Sequence, residues 1–277
     1  MINDYTKQAA VWDWDAYEDT AEYDFWRDYA NTFGRQVLLP MCALGKTGIS
    51  LAERGLFVTA FDITPEMIAR GKALYHDRIR KLQMIFPFKT YYLTENISHT
   101  VIPKHKGELK LEVADITDLH LEKQDFDFAL IAGNGDLHLL PNIDAVEKAF
   151  ANMAKHLRPG GALVLELTLP GDTSWHSPKR VFHPRVPGYT DKKVWKENES
   201  TYDAHTRQHL INQTVYIEDE NGADSFTQQI CLQLYPREEI LGRLEKCGFT
   251  IAAEYSNREK EPWQPGDTNW IVEAIKQ

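Results

Sequence analysis

Residues 37–62 constrain this chain more than any other stretch: V-L-L-P-M-C-A-L-G-K-T-G-I-S-L-A-E-R-G-L-F-V-T-A-F-D. The apolar run 37–39 suits a buried strand. Residues 40–45 make a tight connection. Residues 47–54 have helical composition, closed by Gly55, which tolerates the left-handed backbone of a helix end. A second apolar, β-branched run, 57–61, is closed by Asp62. Strand, turn, helix and strand make a parallel βαβ unit, and ligands of such sheets sit just beyond the strand tips. An acid at the second tip can accept hydrogen bonds from both hydroxyls of a ribose while the turn approaches the rest of a nucleotide.

Two familiar phosphate-binding turns do not fit. The turn M-C-A-L-G lacks the spacing of G-x-G-x-x-G. Gly45-Lys46-Thr47 ends like a P-loop, but Pro40 stands where that loop needs its first glycine. A fixed φ and a missing N–H are poor materials for an anion cradle.

The stretch does resemble the first motif of the class I S-adenosylmethionine (SAM) methyltransferases, roughly V-L-E-L-G-C-G-T-G, then a helix ending L-A-x-x-G, then V-x-G-x-D. V-L-L-P-M-C-A-L-G aligns without a gap, and Leu51 to Gly55 and Val58 to Asp62 fall in register. Gly45 is kept. Met41 and Ala43 take two glycine places, where glycine lets the backbone come close to ligand and adopt φ > 0, and Leu39 takes the acidic place.

The resemblance extends along the chain and implies further site residues. Trp14-Asp15-Ala16-Tyr17 resembles the Y-D-x-x-Y segment that folds over the SAM methionine moiety; Trp14 and Tyr17 are candidates for that lid or for plain core. In a helix over 64–84, Met67 falls where the family packs an apolar side chain on the adenine, a plain core methionine being the alternative, and Ile63 stands beside the ribose acid. Strand 109–113 ends in Ala114-Asp115-Ile116, matching a tip at which the acid takes the adenine amino group and the apolar residue covers the ring. Strand 126–131 ends in A-G-N-G-D-L-H-L-L, like the motif that lies against the transferred methyl. Gly133 and Asn134 are candidate cofactor contacts there, and His138 is a candidate to orient or deprotonate an acceptor or, alternatively, a satisfied structural histidine. A helix over 143–157, the run R-P-G-G and a strand at 162–167 follow.

The remainder is expected as additions and a closing unit. Residues 86–107 read as an inserted hairpin or ordered loop that shapes a substrate pocket or an oligomer contact, such as a homodimer's. A loop spans 170–188. Strands at 193–202, 208–217 and 225–234 resemble the lid sheet of small-molecule N- and O-methyltransferases, with a hairpin turn at Glu220-Asn221-Gly222. Trp175, Tyr202 and Arg207 are its substrate-binding candidates. A helix over 236–246 and strands at 249–255 and 269–275 complete the sheet. The domain plan is a helical cap over 1–35, in which Tyr23, Trp26 and Tyr29 follow helical spacing and read as an amphipathic helix packed on the sheet edge, then a SAM-binding α/β domain over 36–170, a β lid over 171–235 and a closing unit over 236–277. The fold class is doubly wound α/β, with a seven-stranded Rossmann-like sheet and an inserted antiparallel lid.

Composition narrows the partners. The net charge of −10 over 277 residues argues against a broad nucleic-acid surface. No apolar run approaches a membrane span, and nothing reads as a signal peptide. The three cysteines, Cys42, Cys231 and Cys247, make neither a disulfide framework nor a zinc site, which suits a reducing cytoplasm. Cys42 is read as a small packed residue rather than a reactive thiol. The expected activity is SAM-dependent N- or O-methylation of a small molecule by direct in-line transfer, which requires no metal. The alternative is a methyltransferase-fold binding or partner protein that has lost SAM.

Overall fold

The computed structural model describes residues 3–14, 20–85, 107–133, 136–170, 177–182 and 193–277. Five strands come first: β1 (Gln36–Pro40), β2 (Phe57–Asp62), β3 (Glu108–Val113), β4 (Phe126–Ile131) and β5 (Leu157–Thr168). The next four, β6 (Ser177–Phe182), β7 (Lys193–Asp203), β8 (Gln208–Asp219) and β9 (Gly222–Gln233), form a separate antiparallel sheet. The last two, β10 (Phe249–Tyr255) and β11 (Asn269–Lys276), return to the first sheet, whose order is β10-β11-β5-β4-β1-β2-β3. β1 to β5 run parallel, and β11 is antiparallel to both β5 and β10. The α-helices are α1 (Thr20–Phe33), α2 (Lys46–Glu53), α3 (Pro65–Ile85), α4 (Ile143–His156) and α5 (Arg237–Lys246).

The central strands are apolar on both faces because both faces are covered. Phe128 and Leu130 point into a layer holding Trp26, Leu51 and Ile271. Ala129 and Ile131 point into a layer holding Phe150, Met153, Leu244 and Trp270. Strand order reverses at β1, which lies between β4 and β2. The crevice outside that reversal is where a doubly wound sheet binds its ligand.

Three local expectations change. The aromatic helix, expected at the sheet edge, lies over its centre: in α1, Tyr29 meets the Phe128 ring at 6.2 Å and donates to Glu273 Oε1 at 2.7 Å. Its Tyr, Trp and Phe side chains are large enough to reach across the middle strands, which an edge position would leave half exposed. Second, the lid sheet has four strands, not three, because 177–182 pairs with β7 rather than forming loop. Pro178 and the charged pair Lys179-Arg180 hid it; such residues belong on an edge strand, where no N–H is owed to a further neighbour. Third, R-P-G-G lies inside β5, which starts directly after α4. The register against β4 jumps from Phe126↔Leu157 to Phe128↔Ala162, so the glycines form a bulge. The segment read as an inserted hairpin or ordered loop falls, for 86–106, outside the described residues. The hairpin turn holds as expected: β8 ends at Asp219, β9 begins at Gly222, and the pair is in register.

Candidate active site

A cavity of about 350 Å³ opens at the tips of β1 to β4. Its walls are the segments that leave those strands: Met41 and Ala43 after β1, Phe61 to Thr64 after β2, Ala114 to Thr117 after β3, and Asp136 with Leu139 to Pro141 after β4. The size lies within the range of small-molecule sites.

The turn after β1 keeps the conformation that glycine would favour. Met41 has φ 54° and Ala43 φ 48°, beside Gly45 at φ 71°. A left-handed residue with a Cβ costs about 1–2 kcal/mol, so the surroundings must hold the turn. They do so with hydrogen bonds: Cys42 N–H donates to Phe61 O at 3.0 Å, Ala43 N–H to Asp62 Oδ2 at 2.8 Å and Gly45 N–H to Cys42 O at 2.7 Å. Met41 adds packing on the large apolar layer. Ala43→Gly is therefore expected to leave the unfolding free energy unchanged or raise it by up to ~1 kcal/mol, because relief of strain competes with the added chain entropy of glycine. Urea titration checks this, and a loss of stability would contradict it.

Asp62 joins two walls. Its Oδ2 accepts from Ala43 and its Oδ1 from Thr64 N–H at 2.9 Å, so one carboxylate fixes both the β1 turn and the entry to α3. Each oxygen keeps a lone pair for a ligand hydroxyl. Asp115 caps the short 3-10 turn Ile116–Asp118: its Oδ1 accepts from Thr117 N–H at 2.7 Å and from the Thr117 hydroxyl at 2.8 Å. It is thus a turn acid and a cavity wall together. Met67 is buried at the cavity floor beside Leu44, while Ile63 is 60% exposed at the rim.

Two wall residues escaped the sequence reading. Tyr5 and Trp12 line the cavity, their rings edge to face at 5.6 Å. Trp14 and Tyr17 had been expected there. The Trp14 side chain and the whole of Tyr17 lie outside the described residues, as do Asn134 and Trp175. The N-terminal segment is held against the lid sheet: the Asn3 amide donates to Cys231 O at 3.1 Å and accepts from Cys231 N–H at 2.9 Å, and Val11 packs with Val194 and Val215. Aromatic residues are dense throughout the N-terminus, and no local spacing says which of them turn inward.

Asp136 is the second omission. It stands two residues before His138 in the run already singled out, and it, not the histidine, lines the cavity. Its carboxylate lies under Gly133, where an added Cβ would sit 2.7 Å from Oδ2, and Gly133 has φ +122°. Among the described residues it makes no hydrogen bond or ion pair. Burial, then the charges of Asp62 and Glu166, push its pKa well above the usual carboxylate range. The same environment raises Tyr5, first by burial and then by the charges of Asp136 and Asp62. Cys42 is also raised by burial, so it is a packed thiol and not a nucleophile.

His138 is 1% exposed, with Nδ1 3.1 Å from Gln233 O and Nε2 2.8 Å from Thr168 O. Both nitrogens are spent on backbone carbonyls at the ends of β9 and β5, so the ring ties the lid to the sheet and does not face the cavity. Only an imidazolium could donate to both carbonyls; burial outweighs that pull and lowers the pKa. Arg207 donates to Glu239 Oε1 at 2.7 Å, at the start of α5. Neither Arg207 nor Tyr202 is among the cavity walls. Among the described residues no cluster of His, Cys, Asp and Glu could hold a metal.

Residues 41–165 match the family model described as "Methyltransferase domain". The chain carries a methyltransferase domain over these residues. Solved structures share the fold over the full length. An S-adenosylmethionine-dependent methyltransferase from Clostridium acetobutylicum superposes with a TM-score of 0.72 at 13% identity, covering 98% of each chain. A sugar N-methyltransferase from Streptoalloteichus sp. gives 0.70 at 18%, covering 100% of this chain and 94% of its own. A SAM-bound amino pentose methyltransferase from Micromonospora echinaspora gives 0.59 at 18%, covering 98% and 91%. No curated protein sequence matches the chain. At such identities the likeness of the solved structures is one of fold. At the strand tips of that domain stand a left-handed turn after β1, an acid with spare lone pairs at the tip of β2, and a second acid at the tip of β3.

Proposed function

We propose that this methyltransferase transfers the SAM methyl group to a nitrogen of a small, positively charged amine. Asp62 would hold the ribose, Asp115 and Ile116 the adenine, and the 41–45 turn the methionine side; when bound, SAM supplies a methyl group on a positively charged sulfur. The observation that carries the choice of an amine is the charge of the cavity. Its walls include Asp62, Asp115 and Asp136, and no Lys, Arg or His among the described residues. Such a site favours cations and disfavours phosphates and carboxylates. The Trp12 ring already carries one ammonium, Lys196 Nζ at 5.5 Å, and the neighbouring Tyr5 adds a second ring of the kind whose face receives one. The sugar N-methyltransferase and amino pentose methyltransferase named above are consistent with an amine acceptor.

Met41 favours a second reading, a non-catalytic member, since a long side chain occupies a glycine place at the cavity wall. The retained left-handed backbone favours the enzyme. Three free thiols suit a reducing compartment, and we place the reaction in the cytoplasm. Among the described residues no helix is long and apolar enough to cross a membrane. The test is incubation with SAM and a panel of amino sugars, each paired with the matching hydroxyl sugar, followed by mass spectrometry. A methyl mass gained on amines alone is expected. Methylation confined to the hydroxyl partners would overturn the amine, and a folded protein that binds no SAM by calorimetry would establish the non-catalytic reading.

A further inference from the structure

The search beyond the cofactor-holding residues leads to one group. The second surface hollow, around Arg258, is closed by ion pairs: Arg258 meets Glu166 through two bonds of 2.9 and 3.0 Å and Glu22 at 3.2 Å. The buried thiol of Cys42 is packed. Asp136 alone is an acid at the cavity wall with no partner among the described residues and no task in holding the turn.

We infer that Asp136 is the catalytic residue that faces the reacting nitrogen, takes its proton and then holds the positive charge at the point of methyl transfer. This rests on the reading of the chain as an amine methyltransferase. The place is right for such a role. Asp136 leaves the tip of β4, next to β1 in the sheet, so it stands across the strand reversal from the 41–45 turn. Gly133, bare of a Cβ, lets the backbone fold over the carboxylate. The groups around it are Asp62 from β2, Cys42 from the turn, Tyr5 from the N-terminal segment and Glu166 from β5. None of these is a cation; among the described residues the cation that lies against a cavity-wall ring is Lys196, 5.5 Å over Trp12.

The chemistry balances with the cofactor's own methyl. An amine that enters as R–NH3⁺ has no lone pair and cannot attack. Its proton passes to the Asp136 carboxylate, giving the neutral acid and R–NH2. The nitrogen pair forms the new C–N bond as the C–S bond breaks, and that bond's electrons remain on sulfur. Positive charge thereby moves from sulfur to the methylated nitrogen, and the Asp136 proton leaves to solvent. A carboxyl whose proton affinity is raised by burial and like charges is better matched to this exchange than an ordinary surface acid. His138 cannot serve, with both nitrogens turned to backbone carbonyls.

Calorimetry on the full chain tests this without knowledge of the acceptor. SAM carries a sulfonium charge; its demethylated product, S-adenosylhomocysteine, does not. Each is titrated at neutral pH in two buffers of different ionisation enthalpy, which counts the protons exchanged. In the unaltered protein, SAM should release more protons than the product does, because the sulfonium draws Asp136 to its ionised form. In Asp136→Asn that difference should vanish, and SAM should lose about tenfold or more in affinity relative to the product. Asp136→Asn should also unfold at a higher urea midpoint at pH 8. An acid with a raised folded pKa contributes stability only below that pKa and loses it as pH rises through it, so the gain should fade toward pH ~4. An unchanged SAM preference and an unchanged proton count in Asp136→Asn would overturn the role of Asp136 while leaving the methyltransferase reading intact. Failure of both ligands to bind the unaltered protein would overturn that reading first, and this one with it.

Discussion

Replacing Asp62 with alanine is expected to weaken SAM binding by about two orders of magnitude, the largest effect on the cofactor of any single change. The carboxylate acts three ways. In the proposed site it would offer acceptors to the ribose hydroxyls, and it receives Ala43 N–H and Thr64 N–H. Loss of a charged acceptor from a closed site costs ~1–3 kcal/mol for the ligand alone, and each stranded donor adds to this. The stranded Ala43 amide matters most. With Met41 and Ala43 both left-handed, the turn has little reason to keep its shape once the bond from Ala43 is gone. Asp62→Asn should fall between, since one oxygen remains to accept from one of the two amides. Calorimetry with SAM, alongside urea denaturation, separates ligand loss from unfolding. An Asp62→Ala protein that stays folded and binds SAM within about threefold of the original would remove Asp62 from the site.

A large effect on stability is expected at a residue with no side chain. Gly71 lies in the second turn of α3, and a Cβ there would stand 2.4 Å from the Leu44 carbonyl oxygen and 3.3 Å from a Leu111 methyl. The first is backbone, so it cannot swing aside as a side chain would. Gly71→Ala must push α3 off the turn or displace the turn itself. Overpacking of this kind costs ~1–3 kcal/mol and more where backbone must move, against a gain of about 1 kcal/mol in helix propensity. We expect a net loss of ~2 kcal/mol or more, read as a lower urea midpoint at unchanged slope. SAM affinity should fall too, because Leu44 sits between Ala43 and Gly45. A Gly71→Ala protein as stable as the original would mean that helix and turn are not in fact pressed together.

Both predictions bear on what could be read from the chain and what could not. The βαβ unit over 37–62 was legible because its signals are local: an apolar run, a tight turn, a helix stop and an acid at a fixed interval. β4 matched its expected bounds, and the tips of β2 and β3 fell at Asp62 and Asp115, for the same reason. The spacing also fixed that Met41 and Ala43 stand where glycine is usual. It did not reveal that the backbone stays left-handed there, because that depends on Asp62, nineteen residues on, holding the Ala43 amide. The close approach at Gly71 is likewise invisible in sequence, since its partner belongs to another element. Long-range packing also decided between two neighbours in one short run: the turn after β4 directs Asp136 into the cavity and His138 onto the carbonyls of β5 and β9. Histidine drew attention by its chemistry, but which side chain meets the ligand is a matter of the direction in which the chain leaves the strand. Local pattern determined the sheet and its tips. Contacts between residues far apart in the chain determined which side chains those tips present.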